Sequence, residues 1–339
     1  MIWPTVKKFP VLFFLVVFST APISAQSVTN AWFGNSETAG GFVTSGLPRL
    51  YHPWMVSYLR EEGIENYAVG GSHATHQSVA IFGNTPAANR RYFYSVGTND
   101  NIGKGYASAQ IETFKSIVSA QVYWMAGNKV IGQNAAWSYT GNWSNNNLLG
   151  IGKYTGTPGD TATITFTGDL FLFGYIIGDS PYGGTFNIAI DSVDKGTFPI
   201  TAGTIIQSGG AGPNWGPAVL RVAGLGSGSH TAVITAVEAN TTTPRLVFVE
   251  WLGVGSNNLP VYLLANPNLN QSIWPANVYD GVSVYNTALS GIASQAASDG
   301  YNVTYLDTSL TGTDMGPDGA HPTNQGEAKK TNILLNAIQ

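Results

Sequence analysis

The spacing of apolar residues changes twice along the chain. From residue 28 to about 130, short apolar runs alternate with stretches at helical spacing. Residues 28–33, 64–69 and 92–96 read as strands. Met55, Tyr58, Leu59 and Glu62 fit a helix closed by Gly63, and Ile111, Phe114, Ile117, Val118 and Gln121 share one helical face. Strands alternating with helices predict a parallel sheet covered by helices. Between 132 and 256 the period shortens to two. Ala162, Ile164 and Phe166 alternate with threonines, Phe186, Ile188 and Ile190 alternate with polar residues, and Leu246, Phe248 and Glu250 oppose Val247, Val249 and Trp251. Turn clusters such as Gly156-Thr157-Pro158-Gly159 and Gly226-Ser227-Gly228 separate these runs, which predicts an antiparallel β-sandwich. From Pro260 the first texture returns, with strands at 261–265 and 303–306, a helix over 284–297, and a last helix capped by Asn324 with Glu327 three residues on. The expected organisation is an α/β domain of residues 26–131 and 257–339, interrupted by a sandwich of residues 132–256.

The first 25 residues stand apart from this pattern. Lys7 and Lys8 precede an apolar run over 11–18, and Ser24-Ala25 supplies small residues after Pro22, as an export signal cleaved near Ala25 requires. The run is far shorter than the roughly 20 residues that cross a bilayer, and no later stretch is longer, so no membrane span is expected. The reading is a secreted or periplasmic chain. Removing the signal takes two lysines and moves the formal charge from −4 to −6. Charged residues make up only 10%, with no Lys/Arg cluster, which excludes a nucleic-acid partner. A hydrophobic content of 43% excludes a disordered chain. With no cysteine, the chain is neither a disulfide-stapled scaffold nor a thiolate zinc protein.

Candidate chemistry falls where strands end. Ser36, in Gly34-Asn35-Ser36, follows the first strand, and ligands of open α/β sheets collect beyond the carboxyl ends of strands. Gly70-Gly71-Ser72 follows the second strand, where the Gly71 amide can donate to a developing oxyanion. Gly97-Thr98-Asn99-Asp100 follows the third, with the Asn99 amide a further donor and Asp100 a structural residue bonding local backbone. Each of these alone is an ordinary turn signal. Asp318-Gly319-Ala320-His321-Pro322 is more specific: a spacing of three in a tight loop lets the carboxylate orient the imidazole, the natural general base near neutrality. His73 and His76 lie close to the second turn and read as polar residues of a short helix.

In this order, serine, glycine, asparagine and aspartate–histidine, the chain resembles the SGNH (GDSL) hydrolase family across nearly all of its α/β portions. The resemblance implies a flavodoxin-like three-layer α/β fold with a parallel sheet. It implies Ser36 as nucleophile, His321 as base and Asp318 as its orienting partner, with an oxyanion hole of the Ser36 and Gly71 N–H groups and the Asn99 amide. No metal or organic cofactor is expected. One departure stands out, since Asn35 replaces the family's aspartate and removes a negative charge beside the serine. The segment 132–256 resembles β-sandwich modules of secreted glycan-active enzymes in Tyr139-Thr140-Gly141-Asn142-Trp143, Gly159-Asp160 and Gly228-Ser229-His230-Thr231. Trp143, Tyr182 and Trp215 have faces that could stack on sugars, and core packing is the simpler reading of each. Together these imply a secreted serine esterase removing O-acetyl or other short acyl groups from a polysaccharide, its partner an acylated carbohydrate or another ester. The alternatives are a lipase- or thioesterase-like hydrolase of the same family, and a glycan-binding protein whose hydrolase fold is inactive.

Overall fold

The computed structural model describes residues 28–40, 53–84, 89–178, 183–200, 215–241, 245–255 and 259–338. The expected export signal and Tyr182 lie outside the described residues. In chain order the structure opens with β1 (Thr29–Gly34), α1 (Met55–Leu59), β2 (Gly63–Asn66), α2 (Ala74–Gly83), β3 (Arg90–Ser95), α3 (Thr98–Lys104) and α4 (Ser108–Ala126). Strands then follow without helices: β4 (Lys129–Ile131), β5 (Ser138–Thr140), β6 (Ser144–Asn145), β7 (Lys153–Thr155), β8 (Thr161–Thr167) and β9 (Leu170–Gly178). They continue through β10 (Thr185–Ile190), β11 (Val193–Pro199), β12 (Trp215–Ala223), β13 (Ser229–Glu238), β14 (Val247–Val249) and β15 (Trp251–Gly253). The chain closes with β16 (Val261–Leu264), α5 (Ala276–Tyr279), α6 (Gly281–Ser298), β17 (Val303–Leu306), a 3-10 turn (Gly312–Asp314) and α7 (Asn324–Ala337).

A parallel sheet runs in the order β17-β16-β3-β1-β2. Its inner strands β1, β3 and β16 are largely buried on both faces, whereas the edge strand β2, Gly63–Asn66, is only half-buried and polar. On one face Trp32, Phe93 and Leu264 pack with Val56 of α1 and Leu334 of α7, and the Trp32 and Phe93 rings stack at 4.1 Å. On the other, Phe33, Tyr92, Tyr94 and Leu263 meet Ile81 of α2, Phe114 and Val118 of α4 and Leu289 of α6.

The middle of the chain forms separate antiparallel sheets. One, β11-β10-β13-β8-β5, buries the alternating Ile164, Phe166, Ile188 and Ile234 against Phe171, Phe173 and Leu252 of a second, β12-β9-β15-β4. That second sheet is buried on its other face too, where Leu172, Ile176, Ala218 and Trp251 join the same core as Phe114, Ile117 and Trp124 of α4. This explains why β9 reads as a nearly unbroken apolar run.

Several local expectations are corrected. The helix placed at 55–62 is only Met55–Leu59, and Gly63 opens β2 instead of closing the helix. Val56 faces the core while Tyr58 and Leu59 are 58% and 59% exposed, so the apolar spacing marked the wrong face. Val247, Phe248, Val249, Glu250 and Trp251 do not alternate. All are buried, because the chain crosses at Glu250 from the small sheet β14-β7-β6 into the sheet of β9. The cap of α7 is Thr323, whose hydroxyl accepts the Gly326 N–H at 3.2 Å, one residue before the expected Asn324. Among the described residues, no helix is long and apolar enough to cross a membrane.

Candidate active site

Strands β2, β1 and β3 are neighbours, so the loops leaving their carboxyl ends share one edge of the sheet. The turn after β1 carries Ser36. It forms because the Asn35 side-chain oxygen accepts the Glu37 N–H at 3.0 Å and its carbonyl accepts the Ala39 N–H at 2.9 Å. An asparagine fills this role as well as an aspartate, since only an acceptor oxygen is needed. Gly34 at the turn's root has φ of 147°, and a Cβ there would lie 2.4 Å from the Ser95 carbonyl oxygen. Only glycine lets β1 run so close to β3 at this point.

The second loop, Gly70-Gly71-Ser72, lies against the first. A Cβ on Gly70 would sit 3.8 Å from that of Ser36, and Gly71 takes a left-handed φ of 75° with open space where a side chain would go. The third loop is tied to the second by the Asn99 amide, which donates to the Ser72 carbonyl at 3.0 Å. Asn99 is itself fixed at the start of α3, where the neighbouring Thr98 donates from N and Oγ1 to the buried Asn266 at 3.0 and 2.9 Å. Asp100 is fully buried and accepts the Ala74 N–H of α2 at 3.2 Å, so its reach is across loops and not only local as expected. Burial pushes its carboxyl up to about 7, against the lowering effect of the backbone amides it accepts. His73 starts α2. Burial, with His76 and Lys104 nearby, takes it down to about 4, so it is a neutral ring near pH 7. His76 Nδ1 accepts the His73 N–H at 3.0 Å, which makes both histidines parts of a helix start.

His321 comes from the far end of the sequence. Its loop is closed by the Gly316 N–H donating to the His321 carbonyl at 2.7 Å and braced by Trp274 Nε1 donating to the Asp318 carbonyl at 3.1 Å. Asp318 Oδ1 accepts the backbone N–H groups of Ala320 and His321, both at 3.0 Å, and Oδ2 lies 2.6 Å from His321 Nδ1. Partial burial raises the Asp318 carboxyl, but those amides and the imidazole outweigh it and hold it below its ordinary value. It is therefore a carboxylate near neutrality, so Nδ1 carries the proton that it accepts. That tautomer leaves Nε2 bare, and Nε2 stands 2.8 Å from the Ser36 hydroxyl oxygen across 285 residues of sequence. The hydroxyl donates, the imidazole accepts, and the ring donates onward to the carboxylate.

Sequence reading missed the residues that hold these loops. Gln77 on α2 treats Gly34 as a strand partner would, accepting its N–H at 3.1 Å and donating to its carbonyl at 2.9 Å. It also donates to Ser72 Oγ, which in turn donates to the Gly34 carbonyl, each at 2.9 Å. Glu37, beside Ser36, meets the fully buried Lys330 of α7 at 2.5 Å. No spacing signal links either residue to its partner, because the contacts arise only after the chain has folded.

Of the aromatic candidates of the middle region, the two among the described residues are otherwise engaged. Trp143 tilts onto Tyr139 at 5.0 Å and Trp215 packs at the edge of the main core. His230 pairs with Asp191 at 2.6 Å beside Phe166.

No family model matches the chain, and no curated protein matches it. Among solved structures it is similar to a member of the lipolytic G-D-S-L family from Veillonella parvula, with 9% identity, 92% of this chain and 98% of that chain covered, and a TM-score of 0.42. It is also similar to a two-domain esterase active on acetylated mannans, co-crystallised with mannopentaose, with 11% identity, 68% and 91% coverage and a TM-score of 0.37. Over 39% of its length the chain is similar to the whole of the CBM36-1 domain of a multidomain xylanase from the hindgut metagenome of Trinervitermes trinervoides, with 17% identity and a TM-score of 0.28.

Proposed function

We propose that this chain is a secreted serine esterase of the SGNH type that removes acetyl or other short acyl groups from a polysaccharide. The observation that carries the reading is the relay of Ser36 Oγ to His321 Nε2 at 2.8 Å and His321 Nδ1 to Asp318 at 2.6 Å. In the first step the Ser36 oxygen bonds to the ester carbonyl carbon while His321 Nε2 takes its proton. The tetrahedral oxyanion is met by the N–H groups of Ser36 and Gly71 and the second N–H of Asn99, the first being held by Ser72. The imidazolium, steadied by Asp318, gives its proton to the departing sugar oxygen and leaves an acyl-serine. Water then adds by the same route, its proton passing through His321 back to Ser36 as the acid departs. The three protein groups suffice for the proton transfers, so no cofactor is assigned.

The division into a hydrolase domain of residues 26–131 and 257–339 and a module of 132–256 belongs to this proposal, as does export after cleavage near Ala25. An acylated carbohydrate is proposed ahead of a free lipid because the segment 132–256 resembles modules of secreted glycan-active enzymes. The test is turnover of a chromogenic acetate ester by the unaltered chain and by Ser36→Ala, followed by acetate release from a panel of acetylated polysaccharides. Ser36-dependent acetate release is the expected result. Equal, negligible rates for both proteins on every ester would overturn the reading.

A further inference from the structure

The nucleophile and the base reach each other from opposite ends of the chain, on elements that share no strand pairing. Ser36 sits in the turn after β1, and His321 lies just before α7. A direct side-chain tie joins these two elements behind the reacting atoms. Glu37, the residue after Ser36, meets Lys330, nine residues after His321 on α7, and the side chains are 4% and 1% exposed. Glu37 Oε2 is buried with no hydrogen-bond partner among the described residues, so the carboxylate leans on Lys330. Such a pair is a poor way to gain stability. Two ions taken out of water lose more solvation than their attraction reliably returns, and apolar residues of similar size often do as well or better. What a short ion pair does supply, and an apolar contact does not, is a fixed distance and direction.

We infer that Glu37 and Lys330 are positioning residues that set the Ser36–His321 distance by clamping the nucleophile turn to the helix that follows the base. The inference rests on the esterase reading. The clamp acts from beneath the turn: Asn35 shapes it locally, Gln77 holds its root at Gly34, and the Glu37–Lys330 pair fixes its far side to α7. A displacement of about 1 Å between nucleophile and base is enough to cost on the order of a hundredfold in rate. The effect belongs to kcat, because neither side chain reaches the edge where substrate arrives.

The test compares Glu37→Leu/Lys330→Met, which replaces both ions by apolar groups of similar size, with Glu37→Gln, which keeps an acceptor for the lysine. Two readouts are needed: kcat and KM on a chromogenic acetate ester, and the His321 imidazole signals by nitrogen-15 NMR. The double variant is expected to melt within a few degrees of the unaltered chain. Its kcat should fall by about ten- to a hundredfold with KM within about threefold, and its His321 Nδ1 and Nε2 shifts should move. Glu37→Gln is expected to melt lower, since it leaves a buried ammonium without its counter-charge, yet to hold kcat within about threefold. A double variant with unaltered kcat and unaltered His321 signals overturns the clamp. So does a Glu37→Gln that loses as much kcat as the double variant, because charge and not the tie would then matter. If the unaltered chain shows no Ser36-dependent turnover, the esterase reading fails by itself, and the His321 signals still decide whether the pair positions the imidazole.

Discussion

Asn99 shows how much a single side chain does at this site. Its amide has two N–H groups, and the Ser72 carbonyl uses one at 3.0 Å, so the bond that orients the side chain leaves the other for the oxyanion of the proposed mechanism. Asn99→Ala should therefore lower kcat by about 10²–10³ while KM stays within a few-fold, read on the chromogenic acetate ester. A parallel rise in KM would place Asn99 in ground-state binding instead. The pairing of Asp318 with His321 was legible because a spacing of three in a Gly-containing loop leaves the two side chains few other places to go. Ser36 was legible from its place after an apolar run. Gln77 was not, since a glutamine on a helix carries no mark of the glycine it will bond 43 residues earlier. Nor was Lys330, for the more basic reason that a lysine is the residue least expected in a dry interior.

At the scale of elements, apolar spacing located strands well and short helices poorly. Strands such as Val261–Leu264 are short, apolar and largely buried, so composition alone marks them. Helix α1 has barely more than one turn, and its face is set by what α7 leaves uncovered, which the local pattern does not contain. The crossing at Glu250 was equally hidden, because alternation cannot show that a chain leaves one sheet for another. That crossing has a measurable cost. Glu250 is wholly buried, and burial pushes its carboxyl up to about 8 from 4.5 against the lowering bond from Asn146. The folded chain thus holds this proton more tightly than the unfolded one. The group's stabilising contribution is full below about pH 4.5 and is lost as pH rises through about 8. Glu250→Gln has no proton to lose, so its melting temperature should decline less than that of the unaltered chain between about pH 6 and pH 9. The difference at the alkaline end should be on the order of a few kcal/mol by denaturant titration. Parallel stability curves for the two proteins would show that Glu250 is ionised without penalty.

Across the whole molecule, the antiparallel strands run from β4 at Lys129 to β15 at Gly253, so β4 falls inside the stretch expected to be α/β, and the texture of the sequence did not show that their sheet would dock on α4. The clue was the second half of that helix, where Val122, Tyr123, Trp124, Met125 and Ala126 are all buried and no outward face remains. Ile176, Ala218 and Trp251 complete that burial, and Arg221 grips Asp299 beside it, with the closest atoms 2.5 Å apart. Two regions that share one core should unfold together. Calorimetry is expected to show a single transition whose calorimetric and van't Hoff enthalpies agree, whereas two resolved transitions would mean that the shared core contributes little. The separation of 285 positions between Ser36 and His321 carries a consequence for biosynthesis. Under the proposed mechanism the nucleophile is made early in translation and stays inert, because its proton acceptor has yet to be synthesised. Every intervening strand and helix must be finished before hydrolysis can begin. On the proposed esterase reading, a chain broken off anywhere in between is harmless to esters, so the order of residues along the polypeptide acts as a timer on that chemistry.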